Sequence, residues 1–203
     1  MRTLEQYAYA LGHNSYQSLY SLFMVLYLNN IIKLPINETS TIFMVCQLTM
    51  AFCSFPVGYV SDHFKLYTSK RKSWHLFGSI SQTIAIYLHF RRPVVTVWSN
   101  FYYYLATGIL ISLSHQFVVI NHFAVIQNLK NCFDDNKTKE KLSSFRWAYL
   151  IFIDLLTVGV QIPIRYFIGE VLTISVFENL VIFFVGWNLV THSQLNQNIY
   201  SSY

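Results

Sequence analysis

Long apolar runs, broken by short clusters of charge, limit what this chain can fold into. Six runs approach the roughly 20 residues that an α-helix needs to cross a hydrocarbon core about 30 Å thick. They cover residues 9–32, 40–60, 74–90, 100–126, 147–167 and 174–190. The runs lack the strict alternation that transmembrane β-strands require. The sequence therefore predicts an all-α polytopic membrane protein with six transmembrane helices.

The composition supports this class and excludes others. Hydrophobic residues make up 54% of the chain and charged residues 11%, well below the roughly one quarter that is usual in soluble proteins. The net charge of +5 does not indicate a nucleic-acid partner, because the basic residues are dispersed between apolar runs instead of forming one surface. The three cysteines show no disulfide or zinc pattern. We predict no cofactor and no metal.

The distribution of positive charge predicts the orientation, because cytoplasmic loops retain Lys and Arg. With six spans, one side of the membrane would hold Lys33, Arg91, Arg92 and Arg165. The other side would hold the remaining basic residues: Arg2, Lys65, Lys70, Arg71, Lys72, Lys130, Lys137, Lys139, Lys141 and Arg146. Both termini are therefore expected in the cytosol. Residues 1–192 would form the six-helix unit, and residues 193–203 a polar cytosolic tail.

The loop between the second and third runs is rich in charge. Gly58 lies near the end of the second run, where the missing side chain would let helices approach closely. Asp62 follows, and Arg71 and Lys72 belong to a basic run, so we expect a charge-assisted network at the membrane surface. Any polytopic protein can carry a basic cytosolic loop. Composition alone therefore assigns no function to this one.

The order of residues in this loop resembles the signature loop of the major facilitator superfamily, in which G-x-x-x-D is followed by a basic pair. The stretch "SKRKSWHLFGS" at residues 69–79 is similar to the sugar:cation symporter branch. Within that branch it is most similar to the subgroup that includes the lysosomal and melanosomal cysteine transporter. Three later stretches resemble the family in the same order: "INHFAVIQNL" at 120–129, "LSSFRWA" at 142–148 and "VFENL" at 176–180.

The resemblance implies the N-terminal six-helix half of a major facilitator fold, with the solute bound near mid-membrane between two halves. It implies a secondary transporter that moves a small polar solute by alternating access, with cysteine, a related amino acid or a sugar as candidates. The implied site is a lysosomal or other endomembrane, or else the plasma membrane. The partners would be the lipid bilayer, the solute, H+, and a second six-helix half or a second copy. The alternative is a truncated or non-transporting half that acts as a binding or assembly partner.

Two departures from the branch concern the coupling ion. Its sugar symporters hold their cation with acidic residues of the second helix, where this sequence has Met50 and Ser54. The family's Pro-Glu at the end of the fourth helix is replaced by Gln127 and Asn128. The resemblance therefore does not support cation coupling by that route.

Ionisable groups inside membrane spans are costly and mark candidate functional residues. Asp154 is either a proton acceptor or the partner of a substrate amine. His115 and His122 share a helix face, and either they relay protons or one of them pairs with Asp154. These groups favour protons as the coupling ion, and no HExxH or nucleophile–base pattern indicates an enzyme. The candidates for the substrate or proton pathway are Asp154 and Gln161 in the fifth span, His115, Asn121 and His122 in the fourth, and Asn14 in the first.

Overall fold

The computed structural model describes residues 24–66 except residue 26, residues 70–90, residues 99–131, and single helical positions between 140 and 159. Every regular element in these ranges is a helix. The chain divides into two compact units, one of Phe23–Val125 and one of Met1–Leu22 with Ile126–Tyr203. All contacts described below lie within Phe23–Val125.

Three long helices dominate the described residues: α1 at Ile36–His63, α2 at Lys70–Phe90 and α3 at Asn100–Asn131. At 1.5 Å per residue they are about 42, 31 and 48 Å long, so each could cross the hydrocarbon core. They correspond to the second, third and fourth predicted runs. Each is longer than its run, by residues at one or both ends.

The segment before α1 is a short π-helix at Tyr27–Ile31, within the first predicted run. The turn that follows it contains Lys33, whose φ of 61° lies in the left-handed region that few non-glycine residues adopt. The Leu34 N–H then donates to the Leu28 carbonyl at 3.0 Å, which closes this turn. Pro35 precedes the first residue of α1 and has no backbone N–H, so it cannot donate a helical hydrogen bond to an earlier residue. The chain therefore changes direction before α1 begins.

The outer face of α1 is apolar. Its most exposed large side chains include Met44, Leu48, Phe52, Phe55 and Tyr59, which recur every three or four residues and so form one stripe. A contiguous apolar stripe of this size is unfavourable in water and natural in lipid. The helix is also long and apolar enough to cross a membrane, as is the Asn100–Ala124 part of α3.

The faces of α2 are inverted relative to a helix of a soluble protein. Phe77, Ile80, Ile84, Tyr87 and Leu88 are exposed, whereas the opposite face buries a polar set of His75, Ser79, Gln82 and His89. A surface helix in water turns its apolar stripe inward. The buried polar residues make α2 less apolar in composition than α1 and α3, although its outer surface suits lipid.

The third helix packs against both of the others. On one side, Gly108 lies beside Cys46, and Gln116 lies beside Ser54. Residue numbers therefore rise in the same direction on both helices, so α1 and α3 are parallel. On the other side, Gln82 meets His115 and His89 meets Thr107. Because positions on α3 fall as those on α2 rise, these two helices are antiparallel.

Two of the described glycines, Gly78 and Gly108, lie at close helix approaches. A Cβ at Gly78 would lie 2.7 Å from Phe117 Cβ and 2.9 Å from the Val118 nitrogen. A Cβ at Gly108 would lie 2.7 Å from Cys46 Sγ. At Gly58, where the sequence suggested a close approach, a Cβ would meet Ile120 at an ordinary 4.0 Å. Among the residues that the structure describes, no unusually close contact therefore occurs at Gly58.

Candidate functional site

The contact between α2 and α3 contains three pairs of polar side chains, which we call the polar seam. It consists of His75, Gln82 and His89 on α2 and of His122, His115 and Thr107 on α3. The α2 members are seven residues apart, which returns each to nearly the same face after two turns. Each of these side chains is at most 7% exposed. Buried polar groups at this depth require partners, because water is not available to solvate them.

The middle pair joins Gln82 to His115. The Gln82 amide nitrogen lies 3.2 Å from His115 Nδ1, and both side chains are 4% exposed. An amide nitrogen carries only donors, so this bond makes the imidazole nitrogen an acceptor.

The pair furthest from the α1–α2 connection joins His89 to Thr107, at 2.8 Å between Nδ1 and Oγ1. Aromatic rings surround the histidine: Phe90 and Tyr104 both have centroids 5.4 Å from its ring. Tyr27 packs on both of those rings and donates its hydroxyl to the Phe90 carbonyl at 3.0 Å. His89 is therefore enclosed by side chains of three segments of the unit.

The pair nearest the α1–α2 connection is a stack of two histidines. The rings of His75 and His122 have centroids 5.7 Å apart and planes inclined by 27°. Near-parallel rings direct their in-plane nitrogen lone pairs past each other, so this arrangement does not suit one metal ion held between them. No group of three or more potential metal ligands occurs in the described part of the chain.

Asn121 lies beside this stack on α3 and is fully buried. Its amide nitrogen donates to the Phe117 carbonyl at 2.8 Å. Its Oδ1 has no hydrogen-bond partner among the residues that the structure describes. A buried acceptor without a partner is costly, which makes Asn121 a candidate for contact with a polar solute.

The charged loop forms a compact network where α1 ends and α2 begins. The Arg71 guanidinium forms an ion pair with Asp62 and donates to Ser61 Oγ at 3.2 Å. Trp74 Nε1 donates to the Phe64 carbonyl at 2.8 Å, which satisfies a carbonyl just past the end of α1. Gly58 lies one turn before Asp62, and Lys72 lies in the first turn of α2.

The structure thus places the predicted site residues in separate positions. His115 and His122 face α2, and Asn121 lies next to them. Gly58, Asp62 and Arg71 lie at or near the α1–α2 connection. The remaining pathway candidates, Asp154, Gln161 and Asn14, lie outside the described residues.

Sequence reasoning missed the α2 half of the polar seam. His75, Gln82 and His89 belong to a run that was interpreted only as a short span. The signal was present, because their spacing of seven places all three on one helix face. What the sequence alone did not supply was the antiparallel pairing that sets them against α3.

The apolar α1 stripe and the inverted α2 describe a helical protein built for the bilayer. A family model described as "MFS/sugar transport protein" matches residues 7–193, which is most of the chain. The chain therefore belongs to this family of the major facilitator superfamily, as its signature loop predicted. It is an integral membrane protein of the facilitator transporter type, and the family is one of transporters and not of enzymes.

Proposed function

We propose that the chain forms a six-helix half of a facilitator-type secondary transporter and moves a small polar solute by alternating access. The family match over residues 7–193 supports the transporter class. The inverted polarity of α2 supports its assignment as a third span beside α1 and α3. The six spans and the cytosolic position of both termini remain the arrangement that the charge distribution favours.

The proposed coupling ion is the proton. The observation that carries this proposal is the burial of two histidines, His115 at 4% and His122 at 1% exposure, on a helix that is apolar enough to cross a membrane. Imidazole is the side chain whose protonation changes most readily near neutral pH. Asp154, also within a predicted span, would act with them as the proton acceptor or as the partner of a substrate amine.

The proposed solute is cysteine, a related amino acid or a sugar. Resemblance to the cysteine-transporter subgroup motivates the first, and the description of the matching family motivates the last. Asn121, Gln161 and Asn14 would supply neutral hydrogen-bonding groups along the pathway. The same resemblance motivates placing the protein in a lysosomal or related endomembrane.

Uptake into proteoliposomes would test this function. The protein is reconstituted, and labelled cysteine, a neutral amino acid and a hexose are each offered with and without an inward proton gradient. We expect one solute class to accumulate with the gradient and Asp154→Asn to abolish the accumulation. Unchanged gradient dependence in Asp154→Asn would refute the role of that residue, and uptake indifferent to the gradient would refute proton coupling.

The alternative function is that of a non-transporting membrane half that binds or completes another. Uptake that rises with protein density would indicate a half that works as a pair of copies, whereas absence of uptake at every density would favour the truncated or non-transporting half. Measuring uptake against protein density in the vesicles separates these cases.

A further inference from the structure

We propose that Gln82 fixes the tautomer of His115, holding its ring proton on Nε2, and so acts as a positioning residue for proton exchange at His115. The tautomer follows from the contacts of the described residues. The consequence for transport rests on the proposed function, in which His115 belongs to the proton pathway.

The contact that carries the inference is the middle pair of the polar seam. Gln82 donates an amide N–H to His115 Nδ1 across 3.2 Å, where neither side chain is more than 4% exposed. A neutral imidazole has one donor and one acceptor nitrogen. Since Nδ1 accepts, Nε2 must carry the proton. The bond thus leaves Nε2 as the atom through which His115 can give up its proton.

The His89–Thr107 pair provides an internal reference, because here we assign the opposite tautomer, with the proton on Nδ1. The Thr107 hydroxyl has one proton and lies 3.0 Å from the Tyr103 carbonyl and 3.2 Å from the Tyr104 carbonyl. We assign the 2.8 Å contact as donation from His89 Nδ1 to the Thr107 oxygen, which leaves the hydroxyl proton to the carbonyls. Both histidines are buried between the same two helices, so the partner side chain and not burial decides the tautomer.

A proton relay along the polar seam does not explain these pairs. Successive pairs are seven or eight residues apart, which is about 10.5 to 12 Å along a helix and far beyond one hydrogen bond. Between the His115 and His89 levels the seam is filled by Ala85, Ile86 and Ile111, all buried. We therefore assign proton exchange at His115 to its Nε2 atom. The role of Gln82 on α2 is to orient the ring.

The first measurement is ¹⁵N NMR of the full protein in lipid with labelled histidine, in which the His115 signal is assigned by its loss in His115→Asn. In the native protein we expect His115 Nδ1 unprotonated and His89 Nδ1 protonated. Gln82→Glu replaces the donor with an acceptor, so His115 Nδ1 should become protonated. Gln82→Leu removes the partner and should give a mixture of both tautomers.

A matched control lies one residue from His115. Gln116 is bonded through Oε1 to the Ser54 hydroxyl at 3.1 Å, on the side of α3 that faces α1. Gln116→Glu therefore makes the same chemical change beside His115 in the chain, on a half-buried side chain, without touching Nδ1 of His115. We expect it to leave both histidine tautomers as they are in the native protein.

The second measurement is proton-driven uptake by the same variants. Gln82→Glu should reduce the gradient-dependent part of uptake about tenfold, less than the roughly hundredfold or greater loss expected when an acid–base group is itself removed. Gln116→Glu should retain it. A tautomer change in Gln82→Glu with native gradient dependence would overturn the positioning role.

The outcomes also separate this inference from the proposed function. A native His115 with a protonated Nδ1, or one that does not respond to Gln82→Glu, would overturn the inference and leave proton-coupled transport intact. A native protein without gradient-dependent uptake would overturn the proposed function and the positioning role with it. The NMR result would then still report whether Gln82 sets the tautomer.

Discussion

The two sides of α3 meet their neighbours by different means. Toward α1 the helices run parallel and touch through small groups, with Cys46 against Gly108 and one hydroxyl–amide bond between Ser54 and Gln116. Toward α2 they run antiparallel and touch through the three pairs of the polar seam. In lipid the hydrophobic effect contributes little to helix association, so close packing and hydrogen bonds must stabilise the contacts between helices. The α3 helix associates with α1 mainly through close packing and with α2 mainly through hydrogen bonds and other contacts between polar side chains.

The two contacts also differ in what limits a closer approach. On the α2 side the obstacle to a Cβ at Gly78 includes the backbone nitrogen of Val118. On the α1 side the obstacle at Gly108 is Sγ of Cys46, the end of a side chain. A backbone obstacle can yield only if a whole helix shifts, whereas a side-chain obstacle can be removed. The α2–α3 contact should therefore tolerate less change than the α1–α3 contact.

The largest expected effect comes from Gly78→Ala, which tests the α2–α3 contact directly. Its Cβ would lie 2.7 Å from Phe117 Cβ and 2.9 Å from a backbone atom, so the helices must separate. We expect a loss of about 3 kcal/mol in the free energy of unfolding, the upper part of the range for overpacking. Unfolding in mixed micelles of lipid and denaturing detergent would measure it.

Gly58→Ala is the matched control, because its Cβ would meet Ile120 at only 4.0 Å. It should cost no stability and should raise the free energy of unfolding by at most about 1 kcal/mol, because alanine is a better helix former than glycine. Equal losses in the two variants would mean that a general cost of alanine, and not the close approach at Gly78, explains the result.

A smaller effect is expected on the other side of α3. Gly108→Ala brings a Cβ to within 2.7 Å of Cys46 Sγ, and we expect a loss of about 1 kcal/mol in the free energy of unfolding. Cys46→Ala removes the sulfur, so the double variant Cys46→Ala/Gly108→Ala should be more stable than the sum of the single losses predicts. Additive losses would show that Sγ is not the obstacle.

Much of the helical framework could be predicted from apolar run length. The run at residues 74–90 ends where α2 ends, at Phe90, and the run at 100–126 begins where α3 begins, at Asn100. The predicted start of α2 was late because the basic residues at 70–72 interrupt the apolar pattern. A backbone can remain helical through charged residues that reach interfacial water, so hydropathy alone stops too early.

The site could be predicted only in part, for a reason of geometry. The spacing of His115 and His122 on one face is a property of a single helix and can be read from sequence. That Gln82 faces His115, and that Gly78 rather than Gly58 marks a close approach, depends on how two helices are aligned with each other. The relative position of two helices depends on all the side chains of their interface, so it cannot be predicted from a short motif.

The smallest expected effect concerns the α1–α2 connection, where charge replaces the packing and buried pairs seen on α3. The Arg71 side chain is 26% exposed and that of Asp62 50%, so water screens their attraction. Asp62→Asn should cost less than about 1 kcal/mol in the free energy of unfolding, and the difference should shrink as salt is raised. Trp74 still ties α2 to the Phe64 carbonyl in this variant, which limits the loss further.

Arg71→Lys tests whether charge or geometry stabilises this connection, because it keeps the positive charge but removes the planar guanidinium with its several donors. The guanidinium reaches Asp62 and the buried Ser61 hydroxyl at once, which a single ammonium cannot reproduce with the same geometry. We therefore expect Arg71→Lys to lose nearly as much stability as Arg71→Gln, and the part due to Ser61 to persist at high salt. Native stability in Arg71→Lys would mean that charge alone holds this connection. The junction would then depend on no defined geometry, in contrast to the polar seam, where the identity of each donor and acceptor decides the arrangement.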